Sequence, residues 1–324
     1  MSEWLLADIG GTHTRAAIKQ PGQSAAQIRV FRNREFDGLG DVLHRYLDDI
    51  GLRPRIGAFA IASPVESDEI SLTNINWTFS IHALRTQLGL DALHVFNDFT
   101  ATALSLPYLD ATQYTEIRPG DPEEGAALAV LGPGTGMGVS GLIPCGDAWA
   151  PISGEGGHAT LAPATEEESS LFHLLQPTLG HVSAEKLICG PGLLQLYRGV
   201  AELRGKAAVH ATPEAVSARA VDGGDPLAGA ALDMFFALLG GFAGDVALTL
   251  GARGGVWLAG GILPRLVDAL RQSEFRRRFA AKGRLHDYLE AIPIYLITDP
   301  YPALVGLGHW LEEHPYGKSP VGSS

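Results

Sequence analysis

Cysteine is scarce in this chain: Cys145 and Cys189 are the only two in 324 residues. Two thiols cannot build a disulfide scaffold or a cysteine-based zinc site, and such sparing use fits a reducing compartment. Positive charge is also in short supply, with 24 Lys and Arg against 36 Asp and Glu and a formal charge of -12. A surface of that sign repels nucleic-acid phosphates and anionic lipid heads, so neither nucleic acid nor membrane is an expected partner. A nucleotide remains admissible, because backbone N–H groups hold phosphates locally whatever the net charge.

Long hydrophobic runs are missing as well. The opening residues, Met1-Ser2-Glu3-Trp4-Leu5-Leu6-Ala7-Asp8, have no basic start, and their apolar run is far shorter than a signal-peptide core. The most apolar later stretch, Met234 to Gly244, lies between Asp233 and Asp245 and falls short of the ~20 residues that span a bilayer. The expectation is a cytoplasmic protein.

What is present describes a well-packed globular chain: hydrophobic residues are 46% and charged residues 19%, with mean hydropathy +0.10. The chain is too long for one compact core of the usual size, and two domains with a cleft between them are expected.

Along the chain, Trp4–Ala7 reads as a buried strand, Gly10-Gly11-Thr12 as a turn and Thr14–Ile18 as the returning strand. Strands are also expected at Ile28–Arg32, Ile56–Ala62 and Leu93–Phe96, with helices over Leu39–Ile50, from Ser80 to Gly89 and over Phe99–Leu106. Alternating strands and helices indicate an α/β sheet. The stretch Pro107 to Gly125, rich in Pro, Asp and Glu, is read as the exit from a first domain. The opening pattern then recurs: Ala127–Leu131 is an apolar strand, Gly132–Gly136 a glycine tip and Gly138–Ile143 a second strand. Two hairpins of one design suggest a duplicated domain, each half presenting a tip to a shared cleft. Helices are expected at Glu166–Leu175, Ser183–Ile188, Leu193–Leu203, Pro213–Val221, Leu227–Leu250 and Pro302–Glu313, with strands at Gly254–Ala259 and Ile292–Ile297.

Five motifs carry chemistry, and each has a bland alternative. Asp8, Gly10, Gly11 and Thr12 put a carboxylate at a strand end and backbone N–H groups at a tip; the glycines would admit a phosphate, and Asp8 would hold Mg2+, usually through water. An ordinary hairpin turn is the alternative. Gly134, Thr135 and Gly136 form the second tip, though 40 glycines in 324 residues, about 12% against ~7% on average, make glycine turns cheap evidence. Asn97 and Asp98 stand where a strand gives way to a helix, the crevice edge of an open α/β sheet. Asp98 could take the proton of an attacking hydroxyl while Asn97 binds its neighbour, or the aspartate could be a helix cap. Glu155 and His158, in Gly154-Glu155-Gly156-Gly157-His158, offer acceptors and donors of the kind sugar hydroxyls need; by itself an acidic surface turn reads the same way, and Glu185 on a helix is blander still. Gly260 and Gly261 close a buried strand, where backbone can lie against an adenine ring or simply turn. The spacing of Gly136, Gly138 and Gly141 mimics a dinucleotide fingerprint, but a strand with Pro144 follows instead of a helix.

In order and approximate spacing, Asp8–Thr12, Phe96-Asn97-Asp98-Phe99-Thr100-Ala101, Gly132–Gly138, Gly154–His158, His181-Val182-Ser183-Ala184-Glu185 and Ala259-Gly260-Gly261-Ile262 resemble the bacterial ATP-dependent glucokinases over almost the whole chain. The resemblance implies an actin-like, ribonuclease H-like two-domain α/β fold with an interdomain cleft. It implies a small domain of 1–106 completed by 302–316 and a large domain of 107–301; the terminal residues 317–324 read by themselves as a disordered tail. By it Asp98 is the general base, Asn97, Asp98, Glu155, His158 and Glu185 bind glucose, the two tips hold the phosphates of ATP with Mg2+, and Gly260-Gly261 meets the adenosine. A homodimer is implied too. The chain departs from that pattern at His13, where asparagine is frequent, and at Ala159-Thr160, where an acidic residue is; it also lacks the zinc-binding cysteine cluster of the related repressor/kinase family. The rival reading is an actin-like ATPase or a sugar-sensing regulator without transfer to sugar.

Overall fold

A computed structural model describes residues 3–72 and 75–314. The tail expected at 317–324 lies outside the described residues. The first strands and helices are β1 (Trp4–Ile9), β2 (His13–Lys19), β3 (Ala26–Arg32), α1 (Leu39–Ile50), β4 (Ile56–Ile61), β5 (Glu69–Leu72), β6 (Trp77–Ser80), α2 (Ile81–Gln87), β7 (Ala92–Asn97) and α3 (Asp98–Ala103). Then come β8 (Tyr114–Arg118), β9 (Leu128–Pro133), β10 (Met137–Cys145), β11 (Ala148–Ile152), α4 (Glu166–Leu179), α5 (Ala184–Leu187), α6 (Gly190–Leu203), α7 (Pro213–Val221) and α8 (Pro226–Leu250). The chain closes with β12 (Gly255–Leu258), α9 (Val267–Gln272), α10 (Phe275–Ala280), α11 (His286–Glu290), β13 (Ile294–Ile297) and α12 (Pro302–Glu313).

Packing divides these elements into two compact units. Among the described residues, the first takes those up to Asp110, Cys145–Ser153 and 299–314; the second takes Ala111–Pro144 and Gly154–Thr298.

In the first unit the strand order is β3-β2-β1-β4-β7, with β1, β2 and β3 antiparallel and β1, β4 and β7 parallel. Helix α1 forms because Leu39, Val42, Leu43, Tyr46 and Leu47 recur at helical spacing, and all five are buried. It stops at Gly51, whose φ of 69° is the left-handed turn that glycine adopts at little cost. Ser80 caps α2 by accepting from the Ala83 N–H, as its position before an apolar-periodic run predicts.

The second unit repeats the scheme. Strand β9 pairs antiparallel with β10 and parallel with β12, which pairs parallel with β13. The antiparallel edge strand β8 adds to β13, so the acidic, proline-containing stretch read as a domain exit contains a strand. Helix α8 runs through the core with Phe235, Phe236, Leu238, Leu239 and Ala243 buried, while Asp233 and Asp245 face solvent. Among the described residues it is the one helix long and apolar enough to cross a membrane, and 72% of its most apolar window is buried inside the protein. That burial accounts for its composition without lipid.

Candidate functional site

Strand register, not proximity in sequence, gathers the candidates of the first unit. Ile9 at the end of β1 is level with Ile61 on β4, and Ile61 is level with Asn97 on β7. Asp8, the tip at Gly10–Thr12 and the Asn97-Asp98 pair therefore stand along one carboxyl edge of one sheet, where open α/β sheets carry their ligands.

The capping question resolves in favour of the asparagine. Asn97 Oδ1 accepts from the N–H groups of Phe99 at 2.9 Å and Thr100 at 3.3 Å, so it is the N-cap of α3. Asp98 is the first residue inside the helix, and its Oδ1 accepts from its neighbour Phe99 N–H at 2.9 Å. The Asn97 Nδ2 donates toward the Ser63 carbonyl at 3.5 Å. Behind this turn Thr100 Oγ1 lies 3.1 Å from Ser153 Oγ, which ties α3 to the end of β11.

Asp8 is mostly covered and 3.1 Å from Arg15 across the hairpin. Burial raises its pKa, and the charge and hydrogen bond of Arg15 pull in the opposite direction. Beside it the tip is braced internally. Gly10 N–H donates to the His13 carbonyl at 3.0 Å, and buried Asn33, just beyond β3, donates through Nδ2 to the Gly10 carbonyl at 2.7 Å. A depression of about 530 Å³ opens against Gly11, Thr12, His13, Arg32, Arg34 and Ile75. Sequence reasoning gave no role to Arg15, which ends the segment Asp8–Arg15 around the first tip, or to Asn33, which stands in no motif; only the folded hairpin brings them to the tip.

In the second unit the remaining candidates cluster. Glu185 Oε2 accepts from the Met137 N–H, just past the second tip, at 3.0 Å. His158 Nε2 lies 3.8 Å from Glu185 Oε1 and 4.0 Å from Glu155 Oε2. Cys189, buried at the start of α6, accepts from Gly192 N–H; burial pushes its thiol up to about 11, which keeps it protonated and inert.

The glycines of this region have a use the sequence does not reveal. A Cβ on Gly132 would lie 2.3 Å from the Ala259 carbonyl oxygen, and one on Gly260 would lie 2.3 Å from that of Pro133. Gly136 is held clear by Glu185, and Gly157 by the Met137 carbonyl. These glycines let protein approach protein. Gly134, Gly154 and Gly261, by contrast, have nothing within 4 Å of where a Cβ would stand, which leaves room for a ligand beside the backbone there, although the Gly134 N–H itself donates to the Gly136 carbonyl at 2.8 Å.

No group of three or more His, Cys, Asp or Glu residues that could hold a metal occurs among the described residues. A lone Asp8 beside an arginine does not make a protein cage, but it fits Mg2+ arriving with nucleotide phosphates and keeping most of its water.

The glucokinase family model matches residues 5–314. A glucokinase of Paramagnetospirillum magneticum is 48% identical over 306 residues, covering 94% of this chain and 95% of its own. The crystal structure of a glucokinase from an Antarctic psychrotroph superposes with a TM-score of 0.88 at 34% identity, covering 97% of this chain and 99% of that one. A ROK-family glucokinase from Streptomyces griseus, solved with glucose and AMPPNP, shares the fold at a TM-score of 0.64 and 16% identity, covering 95% of this chain and 99% of its own.

Proposed function

The chain belongs to the glucokinase family, and on that premise we propose that it transfers the γ-phosphoryl group of ATP to the C6 hydroxyl of glucose, giving glucose 6-phosphate and ADP. The observation that carries the mechanism is the carboxyl-edge alignment of Asp98 with the Gly10–Thr12 tip in the first unit.

Asp98 takes the proton of the C6 hydroxyl as its oxygen attacks the γ-phosphorus in line and the bond to the ADP oxygen breaks. Little covalent work falls to the protein, so alignment and charge stabilisation supply most of the acceleration. Asn97 Nδ2 donates to a sugar oxygen, since its own oxygen is engaged in capping α3. Glu155 and Glu185 accept from sugar hydroxyls, and His158 offers a donor or acceptor beside them. The N–H groups of Gly11 and Thr12 in the first tip and of Thr135 and Gly136 in the second hold phosphate oxygens, since those of Gly10 and Gly134 are engaged within the protein, and the open backbone at Gly261, next to Gly260, lies against the adenosine. Mg2+ held by Asp8 through water would neutralise charge on the phosphates.

The same reading includes a cytoplasmic location, supported by two unpaired cysteines, and a homodimer, which light scattering on the purified protein would test. Water competes with sugar for the γ-phosphorus, so ATP hydrolysis without sugar should be very slow. Rapid sugar-independent hydrolysis would favour the rival ATPase. A coupled assay with glucose, fructose, mannose and N-acetylglucosamine tests the acceptor. Asp98→Ala should bind glucose nearly normally while kcat falls by about 10²–10⁴; a variant that keeps most of its turnover removes Asp98 from the mechanism.

A further inference from the structure

We propose that Asn33 is the positioning residue of the first phosphate tip: its side chain and backbone lock the tip's carbonyls inward so that its N–H groups face the nucleotide. The proposal rests on the reading that this tip grips ATP.

Asn33 stands just after β3, is 1% exposed, and bonds to two residues of the tip and to Thr14 at the start of β2. Its Nδ2 donates to the Gly10 carbonyl at 2.7 Å, its Oδ1 accepts from the Thr14 hydroxyl at 2.9 Å, and its own N–H donates to the Thr12 carbonyl at 3.0 Å. The Gly10 N–H closes the loop on the His13 carbonyl at 3.0 Å. The carbonyls of Gly10, Thr12 and His13 are all engaged within the protein. By contrast, the N–H groups of Gly11 and Thr12 make no hydrogen bond among the described residues. They border the same depression as Arg32 and Arg34, the two residues flanking Asn33.

That polarity is what an anion requires. A peptide that flipped in this loop would turn a carbonyl oxygen toward the phosphates in place of an N–H, exchanging attraction for repulsion. A primary amide offers a donor to one tip atom and an acceptor to another from a single rigid group. Aspartate would set an acceptor against the Gly10 carbonyl and bury a charge; alanine would leave both Gly10 and Thr14 without partners.

The test compares ADP and glucose affinities, by calorimetry, in the wild type, Asn33→Ala, Asn33→Asp, Thr14→Val and Thr14→Ser, with KM for ATP measured alongside. Asn33→Ala should weaken ADP binding by about tenfold to a hundredfold, with glucose affinity within about twofold of wild type. Asn33→Asp should be worse than Asn33→Ala, Thr14→Val milder, and Thr14→Ser close to wild type because the hydroxyl is retained. A merely structural asparagine would lower the melting temperature and weaken both ligands in parallel, and that result overturns the proposal. So does unchanged ADP affinity in Asn33→Ala. If Asn33→Ala does not fold, Thr14→Val carries the same test, since it cuts only the bond to Oδ1. A wild type that binds glucose but neither ATP nor ADP would sink the nucleotide reading itself, and this proposal with it; a wild type that binds nucleotide beside an indifferent Asn33→Ala sinks the proposal alone.

Discussion

The two glycine tips share a hairpin design and differ in what chiefly braces them. The first is held by side chains: Asn33 reaches in from beyond β3, and Arg15 crosses the hairpin to Asp8. The second is held by backbone lying on backbone, with Gly132 against Ala259 and Gly260 against Pro133. A motif that looks repeated in sequence can thus be fixed by polar bonds in one copy and by close packing in the other, and the two copies should fail differently.

The largest effect should come from filling the packed copy. Gly132→Ala and Gly260→Ala each drive a methyl to 2.3 Å from a carbonyl oxygen; backbone cannot swing aside as a side chain can, so a loss of about 3 kcal/mol or more is expected. Gly260 adds a φ of 86°, which disfavours any side chain. Thermal melts that leave either variant as stable as wild type would break the comparison.

Next comes Glu185→Ala, which removes the partner of the Met137 N–H and a proposed sugar acceptor together. KM for glucose should rise by about tenfold to a hundredfold, with a modest fall in melting temperature; Glu185→Gln, which still accepts from Met137, should restore the stability but not the sugar affinity. Steady-state kinetics beside a melt separate the two.

A smaller effect concerns acid, and it should begin in the first unit. Burial and nearby His314 hold His94 below its ordinary 6.5, with Trp310 packed on its ring and Phe96 packed edge-on against Trp310. The unfolded chain therefore takes up this proton at a higher pH than the folded chain, so stability is steady above the ordinary value and falls as pH drops through it. His309, held down mainly by burial and also by Lys19, contributes in the same window against the opposing pull of Glu312 and Glu313. Glu168, Asp225 and Glu312, all with lowered pKa, lose their contribution only at more acid pH. His94→Phe should flatten part of the decline in melting temperature between pH 7 and pH 5; an unchanged decline removes His94 as a source.

The smallest effect is the sharpest control. A Cβ on Gly10 would meet the His13 carbonyl oxygen at 3.5 Å, and one on Gly134 would meet nothing within 4 Å. Gly10→Ala and Gly134→Ala should each cost less than about 1 kcal/mol in stability, while Gly134→Ala still raises KM for ATP if a phosphate needs that space.

Much of the frame was legible in the sequence because it is written in local period. The buried face of α1, the Ser80 cap and both hairpins follow from spacing over a few residues. The antiparallel β5–β6 pair was not, for strands of four residues are too short to show alternation. Strand β8 hides among prolines and acids because it sits on a sheet edge, where such residues are tolerated. The helices α9 to α11 span only five or six residues each, less than two turns. At the site, types and order pointed to the candidates, but the cap belongs to Asn97 and not Asp98, a choice that depends on where the first helical turn closes. Asn33 carried no signal: its partners are 19 and 23 residues away, and a polar residue before a helix reads as a loop.

One hydrogen bond in the second unit has a thermodynamic consequence. The Met137 N–H, at the exit of the second tip, is pointed at the Glu185 carboxylate. If the tip holds a phosphate and Glu185 a sugar hydroxyl, as proposed, the two ligands share this one bond. Such a link is symmetric by necessity: the factor by which donor and acceptor substrates alter each other's dissociation constants must be the same measured from either side, and replacing the carboxylate should bring it toward unity.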